Sequence, residues 1–339
     1  LCCAINNVLV TSTTSDRQLT FNAKNTLTSR IQPMGHMGYK SEASVVEFYQ
    51  AFTNRLKAIP GIDKVAFSFG LPGVFSWIKE FEIEGRVVAQ TKADKIKTAA
   101  PIVSHDFFDL VNVKVLQGRA FENTDVKNSQ AVTVVNQYFV DSYFAKQNPI
   151  GKRIRVLNPG NPREAQNHKR SSEYSPWMTI VGVVSNYQGE GMALLRGKAA
   201  ITEVYIPFSQ WLSRGQNLLL QGQGDVNKYA DDIRDVLADI APLIPVKFNT
   251  IADALDRSYL FLQLLNQLMI VFGITALLMT ATGLYGLVSF TTQLKYREFG
   301  IRMALGASAK KVLLLILGQS KWQIYLGVFL GGAGAYSAI

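Results

Sequence analysis

SYLFLQLLNQLMIVFGITALLMTATGLYGLVSFTTQL, Ser258–Leu294, runs 37 residues without a charged side chain and is followed at once by KYREFGIRMALGASAKK, residues 295–311. About 20 apolar residues at 1.5 Å each cross the roughly 30 Å of bilayer hydrocarbon, so the run predicts a membrane-spanning helix. The segment after it holds Lys295, Arg297, Arg302, Lys310 and Lys311 against the acid Glu298. A basic excess beside a span marks its cytoplasmic end. The pattern therefore predicts an inner-membrane protein whose residues 1 to about 255 lie outside the cytoplasm.

Upstream, IADALDRS from Ile251 joins the run at helical spacing, and neither Pro nor Gly interrupts it before Gly273. The uncharged part alone would measure about 55 Å as a helix, which exceeds the hydrocarbon thickness. The excess is expected to project as a stalk. Downstream, VLLLILGQSKWQ is expected along the cytoplasmic interface, and a partial further span at about 322–339 ends the sequence given. Within it Gly327, Gly331 and Ala335 stand four apart, a spacing open to two readings: close helix packing or ordinary glycine usage in a membrane helix.

The 339 residues carry a net charge of +10, and half of that excess lies after residue 262. Because the densest basic cluster flanks an apolar span, it reads as membrane orientation, and no nucleic-acid partner is expected. Cys2 and Cys3, adjacent and near the start, offer neither a disulfide framework nor a metal-ligand spacing. The chain is read as a fragment of a longer protein, with LCCAINNVLV, residues 1–10, as the outer end of, or the exit from, an earlier membrane helix.

Residues 1–250 read as a mixed, water-exposed domain. Val45, Phe48, Tyr49, Phe52, Leu56 and Ile59 recur at helical spacing after a candidate cap at Ser44, and Pro60-Gly61 stops them. DKVAFSF, EFEIEGRVV, IKTAAPIV, AVTVV, KRIRV, MTIVGVVSNY, TEVYIPF and NLLLQGQG read as strands, and SHDFFDLV, NQYFVDSYFA and DVNKYADDIRDVLADIAP as helices. Residues 158–176 have loop chemistry. The uneven alternation predicts an α+β domain of two subdomains, joined to all-α transmembrane helices.

Catalytic patterns are scarce. No GxxxxGK[ST] loop is completed at Gly151-Lys152 or Gly197-Lys198, so ATP would be bound by another chain and no cofactor is expected here. Ser104-His105-Asp106 holds triad residue types but reads better as a helix start. His36, His105 and His168 are isolated, and Asn123, Asp125 and Asn128 lack the spacing of a calcium loop. No catalytic residue and no metal site are assigned.

YREFGIRMALGAS, residues 296–308, directly after a span ending in GLYGLVSF, resembles the signature of FtsX-like ABC permeases. FYQAFTNRLKAIPGIDKVAFSFGLP, VSHDFFDLVNVKVLQGRAF, AVTVVNQYFVDSYF, PIGKRIRV and TIVGVVSNY resemble, in order, blocks of the MacB-like periplasmic core domain. The resemblance implies a core domain over 1–250, with a porter-like and a β-rich subdomain, and a permease domain over 251–339. In the latter it implies a stalk and span at about 258–292 and a cytoplasmic coupling segment at about 293–311.

The resemblance further implies a permease subunit of the mechanotransmission type, working with an ABC ATP-binding subunit, a second permease copy and, where present, a periplasmic adaptor. Export or extraction of a hydrophobic or peptide-like substrate is the expected task. Motif matching carries the ATPase-coupling role onto Arg297, Glu298, Gly300, Ile301, Arg302, Leu305, Gly306 and Ala307, with Phe299 where Ile is usual. A membrane-anchored sensory or structural protein without ATPase coupling is the alternative.

Overall fold

The computed structural model describes residues 20–73, 78–86, 96–145, 147–157, 174–186, 201–297 and 301. Arg17–Tyr259 belong to one compact unit and the chain from Leu260 to a second.

The first unit opens with strand β1 (Thr26–Ile31), helix α1 (Glu42–Lys57) and strand β2 (Ile62–Phe69), and closes with strand β11 (Gln216–Gly222), helix α4 (Tyr229–Ile240) and strand β12 (Asn249–Thr250). These strands lie in the order β12-β1-β11-β2 with every neighbouring pair antiparallel, which is the split βαβ, ferredoxin-like arrangement. Its two halves are far apart in sequence. The register pairs Leu27 with Leu220 and Leu218 with Phe67, and these side chains form one core with Val45, Phe48, Phe52 and Leu56 of α1 and Ile233 and Leu237 of α4. Leu219, on the opposite face of β11, enters a different core with Ala66. A central strand buried on both faces requires the unbroken apolar run Leu218–Leu220.

α1 begins one turn earlier than expected. Ser41, not Ser44, is the cap: its Oγ accepts from the Ser44 amide at 3.1 Å, because the helix already starts at Glu42. The helix ends before Gly61, whose φ of +88° a side chain would strain. The Tyr229 hydroxyl donates to the Gly61 carbonyl at 2.7 Å and ties that turn to the start of α4.

Between β2 and β11 the chain adds β3 (Ile78–Ile83), β4 (Lys97–Ala99), β5 (Ile102–Val103), α2 (Phe107–Leu110), β6 (Val115–Gly118), β7 (Val132–Asn136), α3 (Gln137–Tyr143), β8 (Arg153–Val156), β9 (Met178–Val184) and β10 (Val204–Pro207). The sheet continues as β2-β5-β10-β7-β9-β8-β3-β4, with β6 also on β9. It then returns on itself: Ala99 bridges Glu203 just before β10, and the Ala99 amide donates to the Thr202 carbonyl at 2.9 Å. Phe81, Phe139, Ile154, Ile180, Val204 and Ile206 are among the buried side chains of a core shared by these strands and α3. IKTAAPIV, read as one strand, is two, because Pro101 interrupts the ladder.

Helix α5 (Ile251–Leu294) is 44 residues long. Within it Gln267–Leu294 has a mean hydropathy of 1.9 and is long and apolar enough to cross a membrane. Residues 1–19, most of the 158–176 loop, and the segments 298–300 and 302–339, which include the second expected span, lie outside the described residues.

Candidate functional site

The first turns of α5, residues 251–259, belong to the first unit. β12 pairs with β1, Leu27 opposite Thr250 and Thr28 opposite Asn249, and the very next residue, Ile251, is the first of the helix. No loop intervenes. The Thr250 amide donates to Asp253 Oδ2 at 3.0 Å, and the Asp253 amide donates to Thr250 Oγ1 at 3.1 Å. This reciprocal pair satisfies backbone donors that a helix start otherwise leaves without intrahelical partners. The Thr250 backbone hydrogen bond first, and the Thr250 side chain after it, hold the Asp253 carboxyl below its ordinary range. One turn on, Arg257 Nη2 donates to Asn249 Oδ1 at 2.6 Å and clasps the helix back to the strand.

Beneath these polar contacts Ile251 is fully buried, with Ala252 and Leu255 packed against the same core. That core also contains Phe21, Ala23, Phe107, Phe108, Val134 and Tyr205. It therefore joins the first turn of α5 to residues of α2, β7 and β10. Phe108 and Tyr205 meet edge to face, with centroids 4.9 Å apart.

α2 is pinned to the split βαβ layer by two ion pairs. Lys57 Nζ lies 2.8 Å from Asp106 Oδ2, and Lys64 Nζ lies 3.0 Å from Asp109 Oδ2. His105 Nε2 lies 3.1 Å from Asp106 Oδ1. The hydrogen bond from His105 is the largest influence lowering the Asp106 carboxyl, to about 2, with Lys57 adding to it. Ser104 Oγ accepts from the Phe67 amide at 2.9 Å, so Ser104, His105 and Asp106 form a turn leading into α2. Asp125, considered above for a calcium loop, is 4% exposed and held by Arg119 Nη1 and Nη2 at 2.7 and 2.8 Å. The amide of Glu122 adds a third bond to it at 2.8 Å.

Of the residues assigned to the coupling segment, Arg297 and Ile301 are described, and both are exposed. Glu298, Gly300, Arg302, Leu305, Gly306 and Ala307 lie outside the described residues, as do Gly327, Gly331 and Ala335. The joint at Asn249, Thr250, Asp253 and Arg257 is not among the residues that the sequence analysis assigns. Its local signal is legible, since Thr250-x-x-Asp253 ahead of an apolar run is a capping-box pattern.

The family model for the MacB-like periplasmic core domain matches residues 3–236. Among relatives, the macrolide export ATP-binding/permease protein MacB 2 of Aeromonas hydrophila is 25% identical over 240 residues, 68% of this chain and 33% of that protein. The uncharacterized ABC transporter permease YknZ of Bacillus subtilis is 26% identical over 266 residues, 70% of this chain and 57% of that protein. The match thus spans a third of the Aeromonas relative and little more than half of the Bacillus one. The crystal structure of the periplasmic region of MacB from Actinobacillus actinomycetemcomitans aligns at 16% identity, covering 68% of this chain and 91% of that one, with a TM-score of 0.43. With the family model matching well over half of its length, the chain belongs to the MacB-like periplasmic core domain family of ABC transporter permeases.

Proposed function

We propose that this chain couples ATP hydrolysis, performed by a nucleotide-binding partner, to movement of its outer domain, as the permease subunit of a mechanotransmission-type transporter. The observation that carries this reading is the loop-free junction from β12 into α5, closed by the Thr250–Asp253 bonds and the burial of Ile251. A displacement of the helix is passed on only if its end cannot swivel. A paired strand, a reciprocal cap and a buried first turn remove that freedom, whereas a polar linker would absorb the motion.

In this account the cytoplasmic segment Arg297–Ala307 receives the push. Arg297 and Arg302 supply charge-assisted bonds to the partner, and Gly300, Gly306 and Ala307 allow close approach. ATP is bound outside this chain, a second permease copy completes the membrane assembly, and a periplasmic adaptor is compatible with it. The cargo is hydrophobic or peptide-like, and macrolides, which the Aeromonas relative's name gives as its export substrate, are the first to try.

The test is ATPase activity of the complex reconstituted in membranes. Glu298→Ala and Arg302→Ala should change the ATPase rate of the co-purified nucleotide-binding subunit and abolish its response to substrate. An unaltered rate and response, or normal function with every ATPase partner deleted, defeats the proposal.

A further inference from the structure

The turn between β1 and α1 reads Met34-Gly35-His36-Met37-Gly38, two thioethers and an imidazole within four positions of a chain that has seven methionines and three histidines in all. Burial accounts for only part of this concentration of soft donors. Met37 rests on the rim of the core beneath α1, and Met34 is partly buried. His36 is exposed and, among the described residues, makes no hydrogen bond or ion pair.

Gly35–Met37 form one turn of 3-10 helix, closed by the Met37 amide donating to the Met34 carbonyl at 3.0 Å and the Gly38 amide donating to the Gly35 carbonyl at 3.2 Å. Such a turn rises about 2.0 Å per residue and sets positions three apart on one side, so Met34 and Met37 stand about 6 Å apart along it. Gly38, at φ +99°, turns the chain back, and the Tyr39 amide returns to the Met34 carbonyl at 3.3 Å. Beyond the turn the chain is anchored. The Tyr39 ring meets Phe48 edge to face at 5.2 Å, and Arg214 donates to the carbonyls of Tyr39 and Lys40. The other side is open, since a Cβ at Gly35 or Gly38 would meet nothing within 4 Å. Methionine turns about three single bonds, so both sulfurs can reach one point beside the His36 ring without backbone movement.

The donor set selects the ion. Residues 32–41 contain no carboxylate, which argues against calcium and magnesium, and no thiol, whereas thioethers with a neutral imidazole suit a soft cation of low charge. We propose that Met34, His36 and Met37 form a binding site for Cu(I) or Ag(I), with the two sulfurs and one imidazole nitrogen as ligands. The proposal is independent of ATP coupling and of the membrane reading of α5, so each can fail without the other.

The full chain in detergent, carrying Cys2→Ser and Cys3→Ser so that no thiol competes, is titrated with Cu(I) against a colorimetric chelator in the absence of oxygen, and with Ag(I) by calorimetry. The expected result is a single ion per chain. Affinity should fall at least about tenfold in His36→Ala and in the double variant Met34→Leu/Met37→Leu, since even an outer partner of a metal site is worth that much. Leucine keeps the volume of methionine against the core, so the double variant should fold, which circular dichroism checks. X-ray absorption should show sulfur and nitrogen around the copper. Absence of binding in both titrations, unchanged affinity in the folded double variant, or Zn(II) held as tightly as Cu(I) overturns the proposal.

Discussion

Thr250 and Asp253 exchange hydrogen bonds of 3.0 and 3.1 Å across the boundary between β12 and α5, so the last residue of the sheet and the third residue of the helix are each other's cap. Losing such a cap costs about 1 kcal/mol. Thr250→Ala and Asp253→Ala are each expected to raise amide hydrogen exchange in the first turn of α5 about fivefold, measured by mass spectrometry on the full chain in detergent.

The same pair sets a pH dependence. The Asp253 carboxyl titrates lower in the folded chain than in the unfolded one, so its stabilisation is complete above the unfolded value of about 3.9. It is lost as the pH falls through the lower, folded value. Wild type and Asp253→Asn should therefore differ in unfolding midpoint at pH 7 and converge in acid; a constant difference across that range would count against the cap.

Asp106 offers a sharper titration. Bonded by His105 and Lys57, it is expected to titrate near 2 by carboxyl NMR, and His105→Ala or Lys57→Ala should each move it up towards 3.8. Because the folded value is the lower one, its contribution is present above about pH 4 and fades between there and pH 2. All three side chains are partly exposed, so the effect on global stability should be small.

Ile251 is fully buried at the joint, and Ile251→Ala should destabilise the domain by about 2–5 kcal/mol in denaturant unfolding. Leu243, 65% exposed, provides the comparison: Leu243→Ala should shift stability by less than about 0.5 kcal/mol.

Gly182 on β9 has no room for a side chain, since a Cβ there would overlap the Arg119 carbonyl oxygen. The neighbour in the way is backbone and cannot rotate aside. Gly182→Ala is expected to cost about 3 kcal/mol or to prevent folding, seen as lost expression or a lowered unfolding midpoint.

Much of this architecture is legible from local pattern. The periodicity from Val45 to Leu56 gives α1, the uncharged run gives α5, and Leu218–Leu220 signals a strand buried on both sides. What escapes is whatever depends on distant pairing. β1, with the sequence TLTSRI, carries polar side chains that are buried in the fold, and its partner β11 lies about 190 residues away. β12 is two residues long and exists only because β1 is beside it, so the joint at Thr250 is invisible until the sheet is assembled. The sequence points to Ser44 rather than to the Ser41 cap because both serines precede the same apolar run, and only the amide geometry separates them.

The central claim is that motion passes through a rigid junction at Thr250–Ile251. Its most direct measurement is substrate export and ATP hydrolysis by the complete transporter carrying a four-residue Gly-Ser insertion between these two residues. The account predicts that ATP hydrolysis continues while export falls to background. Export at the wild-type rate with the junction made flexible would contradict it.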